Sequence, residues 1–544
     1  MIRKNHAIYG EDMSQMMRRD FSRLQDRTFD VLICGGGIYG AWTAYDAALR
    51  GLKVALVDRG DWANATSSAS SKLVHGGLRY LENFDFKLVR KTLAERQMLM
   101  AAAPHRVRPL RFGVPVYRDS RLGCFRLAVG LTLYDGLAGS INDEQGFKRY
   151  DGQEFSARFP FLRAAGLKAG FTYLDAQTDD ARLVLELVAG AESAGAVCLN
   201  YCKVSDFIER NGKLSAAVVT DQLTGESVTV QAKQFVNTAG QWAGLLRHGK
   251  RNYRLSKGVH LILPNLLDKE ALLLTAKADG RVFFMIPWYG RTLVGTTDTD
   301  YGGDLDKVKV EDKDIDYLLN EVNGVVRNKN WIREDVIGSF AGLRVLKQSD
   351  RSSPSAVSRD WELHASDNGL LTSIGGKLTS ARSDAAHIVD KLCENLGIRQ
   401  SCGTFGKPLP WSPGADFPAW SESMTRRALE LGIDKESVHW LLFRHGSRVT
   451  EVFALCEEHP ESVSRIMQEA PFIMADLLFC TRSEMVVHLE DLLRRRLPLL
   501  ILVKLKQEDL QWIAEIVAPV LGWDQEQCES ECRRVLQAYS LDGG

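Results

Sequence analysis

No stretch of this sequence is long and apolar enough to cross a bilayer. The longest charge-free apolar run, residues 31–45, has fifteen residues cut by four glycines, where a spanning helix needs roughly 20 apolar residues. The N-terminal segment MIRKNHAIYGEDMSQMMRRD lacks the apolar core of a secretory signal. Cysteine is scarce, ten in 544 residues, which excludes a disulfide framework. Cys198/Cys202 and Cys528/Cys532 are spaced four apart, but neither has the second Cys/His pair that zinc requires. No metal is expected, and the thiols read as reduced in a cytoplasmic setting. Net charge is also missing: 69 Lys+Arg balance 69 Asp+Glu, which argues against a nucleic-acid partner. The balance conceals a partition, however. Residues 72–118 hold ten basic and three acidic side chains, whereas residues 411–544 hold fourteen basic and twenty-two acidic.

The length suggests several domains. Val31-Leu32-Ile33-Cys34 reads as a strand, the Ala-rich stretch from Ala41 to Arg50 as a helix stopped by Gly51, and residues 53–57 as a second strand. Asp179 and Asp180 read as a helix start before Leu183, Leu187, Val188 and Ala191 at helical spacing. Residues 213–231 alternate like a hairpin around Leu223-Thr224-Gly225, and Gln234-Phe235-Val236-Asn237 reads as a further strand. Residues 401–418 hold three glycines and four prolines and read as a linker. Beyond them amphipathic helical patterns recur, clearest over 483–496 and 507–521.

Between the first strand and helix lies G-x-G-x-x-G at Gly35, Gly37 and Gly40. These glycines provide a tight turn, backbone approach to a pyrophosphate, and close packing of helix on strand. A pyrophosphate then meets the positive end of the helix. Eighteen residues on, Asp58 ends the second strand, where a carboxylate accepts hydrogen bonds from ribose hydroxyls. There is no second fingerprint for a nicotinamide cofactor. The strand running into Asn237-Thr238-Ala239-Gly240 after a stranded insertion favours FAD.

After Asp58 the sequence reads Ala65-Thr66-Ser67-Ser68-Ala69-Ser70-Ser71-Lys72-Leu73-Val74-His75-Gly76-Gly77-Leu78-Arg79-Tyr80. Further blocks follow: Asp179-Asp180-Ala181-Arg182-Leu183, Lys257-Gly258-Val259-His260, Ile286-Pro287-Trp288, Gly295-Thr296-Thr297-Asp298, Gly342-Leu343-Arg344, Ser358-Arg359-Asp360 and Gly375-Gly376-Lys377-Leu378-Thr379. In this order they resemble the FAD-dependent glycerol-3-phosphate dehydrogenases. Arg494-Arg495-Arg496-Leu497 is similar to an arginine-rich helix of the family's C-terminal module. Two departures stand out. Val345 follows Arg344 where the family usually has proline, and Asn237-Thr238-Ala239-Gly240 stands for the usual N-A-T-G.

The resemblance implies an α/β fold: a Rossmann-like FAD-binding domain (25–100, 165–245 and 338–400) interleaved with an α+β substrate or cap domain (101–164 and 246–337). An N-terminal extension (1–24), the linker (401–418) and a C-terminal all-α module (419–544) complete it. It implies FAD contacts at Gly35, Gly37, Gly40, Asp58, Thr66, Ser67, Ser70, Lys72, Leu73, Ala239, Gly240, Gly376, Lys377, Leu378 and Thr379. It also implies a phosphate-ester substrate held by Arg79, Tyr80, Arg344, Arg359 and Lys377. Arginine forks and a lysine suit a phosphate carrying nearly two charges. The chemistry is oxidation of sn-glycerol 3-phosphate to dihydroxyacetone phosphate by hydride transfer to flavin N5. A helix opening at Gly376 would stabilise the charge gathered on reduced flavin. The base is left open between His75, His260 and solvent beside Arg344. The alternatives are another polyol phosphate, oxygen as acceptor in place of a quinone, and a flavin-binding sensor without turnover. Peripheral contact with the inner face of the membrane is implied without a place for it. His105, His439, His445 and His488 read as structural, and Arg90, Arg96, Arg106, Arg108 and Arg111 as solvated charges. Arg494–Arg496 read as packing inside the module, because Pro498 breaks the stretch and the acidic surplus is repelled by an anionic bilayer.

Overall fold

The computed structural model describes residues 17–83, 85–139, 146–246, 253–347, 360–414 and 416–539. The dinucleotide signature forms as the sequence suggests, with β1 (Thr28–Cys34), α1 (Ile38–Leu49) and β2 (Val54–Val57). β1 lies between β2 and the strand Ser227–Asn237, parallel to both. Leu370–Ile374 and Val197–Leu199 extend the parallel set on either side. Every residue of β2 is buried, as expected for a parallel strand covered on both faces. α1 packs between the helices Asp180–Ser193 and Ala381–Leu396. The hairpin read over 213–231 is present, but its second strand does not stop there. Ser227–Asn237 pairs antiparallel with Lys213–Asp221 and then runs on as the parallel neighbour of β1.

A second, mostly antiparallel sheet carries the cap. Leu167–Thr178 and Gly338–Lys347, both inside segments assigned to the FAD domain from sequence, belong to this sheet. The first pairs with Val107–Tyr117 and the second with Tyr253–Leu263. Chain segments assigned by sequence order thus exchange sheets in space.

The C-terminal region is helical from Phe417–Glu430 to Gln525–Tyr539. Gln507–Leu521 is a helix as its periodicity predicts. The other clear pattern, 483–496, is not one helix: Met474–Ser483 ends where it begins, and Asp491–Arg496 forms a single wide turn. The Asp491 carboxylate accepts the Val487 and His488 N–H groups and so closes the chain into that turn. Residues 401–414 are packed rather than free. Leu409 and Trp411 are buried, and the Trp411 N–H donates to Glu186.

Candidate active site

The site is built upward from the glycine turn. Gly35 has φ +110°, and a Cβ there would lie 2.7 Å from the Thr238 carbonyl oxygen. A Cβ at Gly40 would lie 1.8 Å from the Gly35 carbonyl oxygen, so this third glycine lets helix meet strand and does not line the cavity. Asp58 accepts the Gly36 N–H at 2.6 Å and the Gly60 N–H at 2.8 Å. Burial nevertheless pushes its carboxyl up to about 6, against the pull of those two donors. The Ser67 hydroxyl accepts the Ile38 N–H at 2.9 Å, at the start of α1.

From Asp58 the chain wraps around a cavity of about 910 Å³, near the top of the size range of ligand sites. Thr66, Ser67, Ser70 and Leu73 line it; Lys72 does not. The Lys72 ammonium is buried against Asp180 and donates to the Ser68 carbonyl at 2.7 Å. Asp180 also accepts the Ser70 N–H and hydroxyl. The block Asp179–Leu183 therefore has several distinct tasks. Asp179 caps the helix, Asp180 holds the Ser70–Lys72 turn, and Arg182 forms a buried pair with Glu484 of the helical module.

At the other end of the cavity lie Arg344, Lys377, His75, His260 and Tyr80. Arg344 stands opposite Ser256 in the antiparallel register, with Gly258 and His260 following on the same face. Its guanidinium donates to Thr296 Oγ1 at 2.9 Å and to the Thr297 carbonyl and Asp298 carboxylate at 3.3 Å. His260 stacks on Phe340, with Nε2 2.8 Å from the Ser71 hydroxyl. Burial, then the charges of Arg344 and Lys72, hold its imidazole well below the usual histidine range, so it is neutral at pH 7. Lys377 Nζ lies 3.5 Å from the Tyr80 ring centroid, a close cation–π contact. Both main-chain polar groups of His75 bond Thr379 Oγ1. The adjoining Gly76 N–H donates to Asp175 and Tyr134, inside a buried network that Arg96 completes.

Gly376, Lys377, Leu378 and Thr379 line the cavity, as do Gly35, Gly37, Asp58, Ala239 and Gly240. The expected helix opening there differs in detail. The helix begins at Ala381, and residues 378–380 form the turn before it. A Cβ at Gly376 would lie 1.7 Å from the Tyr39 hydroxyl. That hydroxyl accepts the Lys377 N–H at 3.0 Å and donates to Asp384 at 2.8 Å. Tyr39, Asp384, Asp175 and Asp61 carried no sequence signal, because each acts through a fold-level contact. Arg359 lies outside the described residues, and Arg79 is described in its backbone only. Arg96 and Arg106, read as solvated, are instead buried on Asp175 and Glu186. Of the histidines read as structural, His105 faces Glu186, His445 faces Asp476 and His488 faces Glu531, while the exposed His439 bonds Arg108.

The family described as FAD dependent oxidoreductase matches residues 30–382, and the C-terminal domain of alpha-glycerophosphate oxidase matches residues 408–528. Glycerol-3-phosphate dehydrogenase of Synechocystis is 36% identical over 542 residues, covering 95% of this chain and 97% of the relative. The chain belongs to the FAD-dependent glycerol-3-phosphate dehydrogenase family. Aerobic glycerol-3-phosphate dehydrogenase of Staphylococcus aureus is 35% identical over 532 residues, covering 95% of each chain. The structure of the Bacillus halodurans dehydrogenase complexed with FAD aligns with a TM-score of 0.78 at 30% identity, covering 95% of this chain and 96% of that one. The L-alpha-glycerophosphate oxidase of Mycoplasma pneumoniae shares the fold, with a TM-score of 0.55 at 20% identity over 71% of this chain and all of that one.

The residues present fit the family's cofactor. Gly35 and Gly37 line the cavity with backbone where a Cβ would be crowded, the carboxylate of Asp58 stands at the end of β2, and the same cavity is lined by Arg344. Among the described residues, no helix is long and apolar enough to cross a membrane.

Proposed function

We propose that the protein oxidises sn-glycerol 3-phosphate to dihydroxyacetone phosphate. The observation that carries this reading is the meeting of Arg344, Lys377 and His75 on one cavity that continues into the dinucleotide groove. FAD, when bound, supplies the two-electron acceptor for the hydrogen on the substrate's secondary carbon. Arg344 and Lys377 hold the phosphate dianion, with Arg79 and Arg359 completing the clamp. His75 takes the hydroxyl proton, its position fixed by Thr379 and by the buried network behind Gly76. His260, neutral and bonded to Ser71, orients the substrate rather than accepting its proton. Val345 continues the strand past Arg344, standing opposite Leu255. Anaerobic mixing with glycerol 3-phosphate should bleach the flavin band. Bleaching by a different polyol phosphate alone would move the assignment to that substrate.

Electrons pass from this site to a quinone at a lipid surface. The helix Cys124–Ala138 supports the lipid contact. Phe125, Val129 and Leu133, four residues apart, are 81%, 45% and 45% exposed. Arg118, Arg121 and Arg126 flank them, and Lys87 and Arg90 are exposed on the adjoining helix Phe86–Ala102. An apolar stripe beside exposed cations suits an anionic bilayer interface. The turn carrying Tyr80 packs on the same helix. Co-sedimentation with vesicles containing anionic lipid should be lost in Phe125→Asp/Val129→Asp. Retained binding would refute the assignment, and reoxidation by oxygen as fast as by quinone would make the protein an oxidase.

A further inference from the structure

The arginine-rich turn Asp491–Arg496 does not keep its side chains within its own module. Arg495 Nε donates to Asp61 at 2.6 Å, and both terminal nitrogens of Arg496 reach the same carboxylate. Arg494 donates at 3.3 Å to the Ser68 carbonyl, which also accepts its own domain's donor, Lys72 Nζ, at 2.7 Å. Asp61 is fully buried and is also held by the Asn200 side-chain amide. Between these two anchors the chain presents Asn64, Ala65, Thr66 and Ser67 to the cofactor cavity. On the far side of the turn, Tyr201 donates to Asp491, which in turn receives Arg495. The loop is thus fastened from outside at residues 61 and 68, and its inner face is the wall of the flavin site.

We propose that Arg494, Arg495 and Arg496 are positioning residues for FAD: the C-terminal module shapes residues 61–68 into the conformation that retains the cofactor. The argument is geometric. The loop is tied on its inner face by Thr66, which donates to the Leu343 carbonyl, and by Ser67, which accepts the Ile38 N–H. At Asp61 it receives the neutral Asn200 amide from the FAD domain and charged donors from the module's arginines. Its outer face supplies a buried carboxylate and an inward-turned carbonyl, and each meets a guanidinium from the module. Ordering the loop in advance lowers the entropy that FAD binding must otherwise supply. The contribution of Arg494 is the cleanest to isolate, because it meets a neutral carbonyl and its loss strands no buried charge. Losing Arg495 or Arg496 weakens the pairing of Asp61 inside the protein.

The test uses the full chain, with flavin removed and then titrated back while flavin fluorescence is followed. Loss of one charge-assisted hydrogen bond at the loop should raise the FAD dissociation constant of Arg494→Ala about tenfold. The apoprotein should unfold within a degree or two of the unsubstituted one. Arg494→Lys, which keeps one donor, should recover most of the affinity. Arg495→Lys, which keeps the charge but loses the fork, should weaken FAD in the same direction and serves if Arg494→Ala folds poorly. An unchanged dissociation constant in Arg494→Ala, or a lowered unfolding temperature with FAD affinity intact, would overturn the proposal and leave the arginines as interdomain packing.

Discussion

Gly258→Ala should disable the substrate end of the cavity without touching the flavin end. A Cβ at this position would lie 2.4 Å from one terminal nitrogen of Arg344 and 2.7 Å from its central carbon. Ordinary contact begins near 3.4 Å, so the guanidinium must retreat by about 1 Å. It is the far end of a flexible side chain, so it can move and the strand pairing survives. Moving it breaks the bond to Thr296 Oγ1 at 2.9 Å and shifts the cation away from the phosphate. A misplacement of about 1 Å costs on the order of 100-fold in rate, about 2.7 kcal/mol of transition-state stabilisation. We expect kcat/KM for glycerol 3-phosphate to fall by about that factor with an artificial electron acceptor. Flavin content and unfolding temperature should stay near those of the unsubstituted protein. Unchanged kcat/KM would refute the role of Arg344, and loss of flavin together with activity would refute the separation of the two ends.

Three further outcomes follow from particular contacts. Asp58 is raised to about 6 from 3.8, so the folded apoprotein retains a proton that the unfolded chain releases between those values. The resulting stability is present below pH ~4 and lost as pH rises through ~6, about 3 kcal/mol in all. Asp58→Asn should remove this dependence, and parallel unfolding curves for both proteins at pH 4.5 and 7.5 would contradict it. Tyr39→Phe leaves the Lys377 N–H without its acceptor and removes a donor from Asp384. It should cost about 1–3 kcal/mol by chemical denaturation, and a loss under ~0.5 kcal/mol would show that water replaces the hydroxyl. Gly35→Ala forces a Cβ against backbone at φ +110°. It should cost more than ~2 kcal/mol and yield protein without flavin absorbance; a yellow protein would contradict the turn's role.

The dinucleotide half of the molecule was readable because its signals are local. A glycine turn, an Ala-rich helix and a buried strand each fix their own conformation within a few residues. The DDARL block likewise announced a helix start, and Asp179 caps it. What the sequence could not show is where a side chain finds its partner across the fold. Lys72 sits within a cofactor-like motif yet faces Asp180 rather than the cavity, because Lys72 adopts φ +59° and turns its side chain inward. Arg96 and Arg106 look like any surface arginine until Asp175 and Glu186 are brought beneath them. The pattern over 483–496 has helical periodicity, but Asp491 captures two backbone N–H groups and Arg494–Arg496 are drawn toward residues 61 and 68. Tertiary pairing overrides the local preference there.

The bonds between Asp61 and the arginines of the helical module join residues 434 and 435 positions apart. During synthesis, Asp61 leaves the ribosome long before either partner exists. The β1–α1–β2 unit is local in sequence, but the module's fastenings of the flavin-site wall at Asp61 and Ser68 form only after residue 496 has been made. Such distant contacts also form slowly. On the role proposed for the module, full affinity for FAD arrives only with residues 494–496, and a prematurely terminated product should hold the cofactor more weakly.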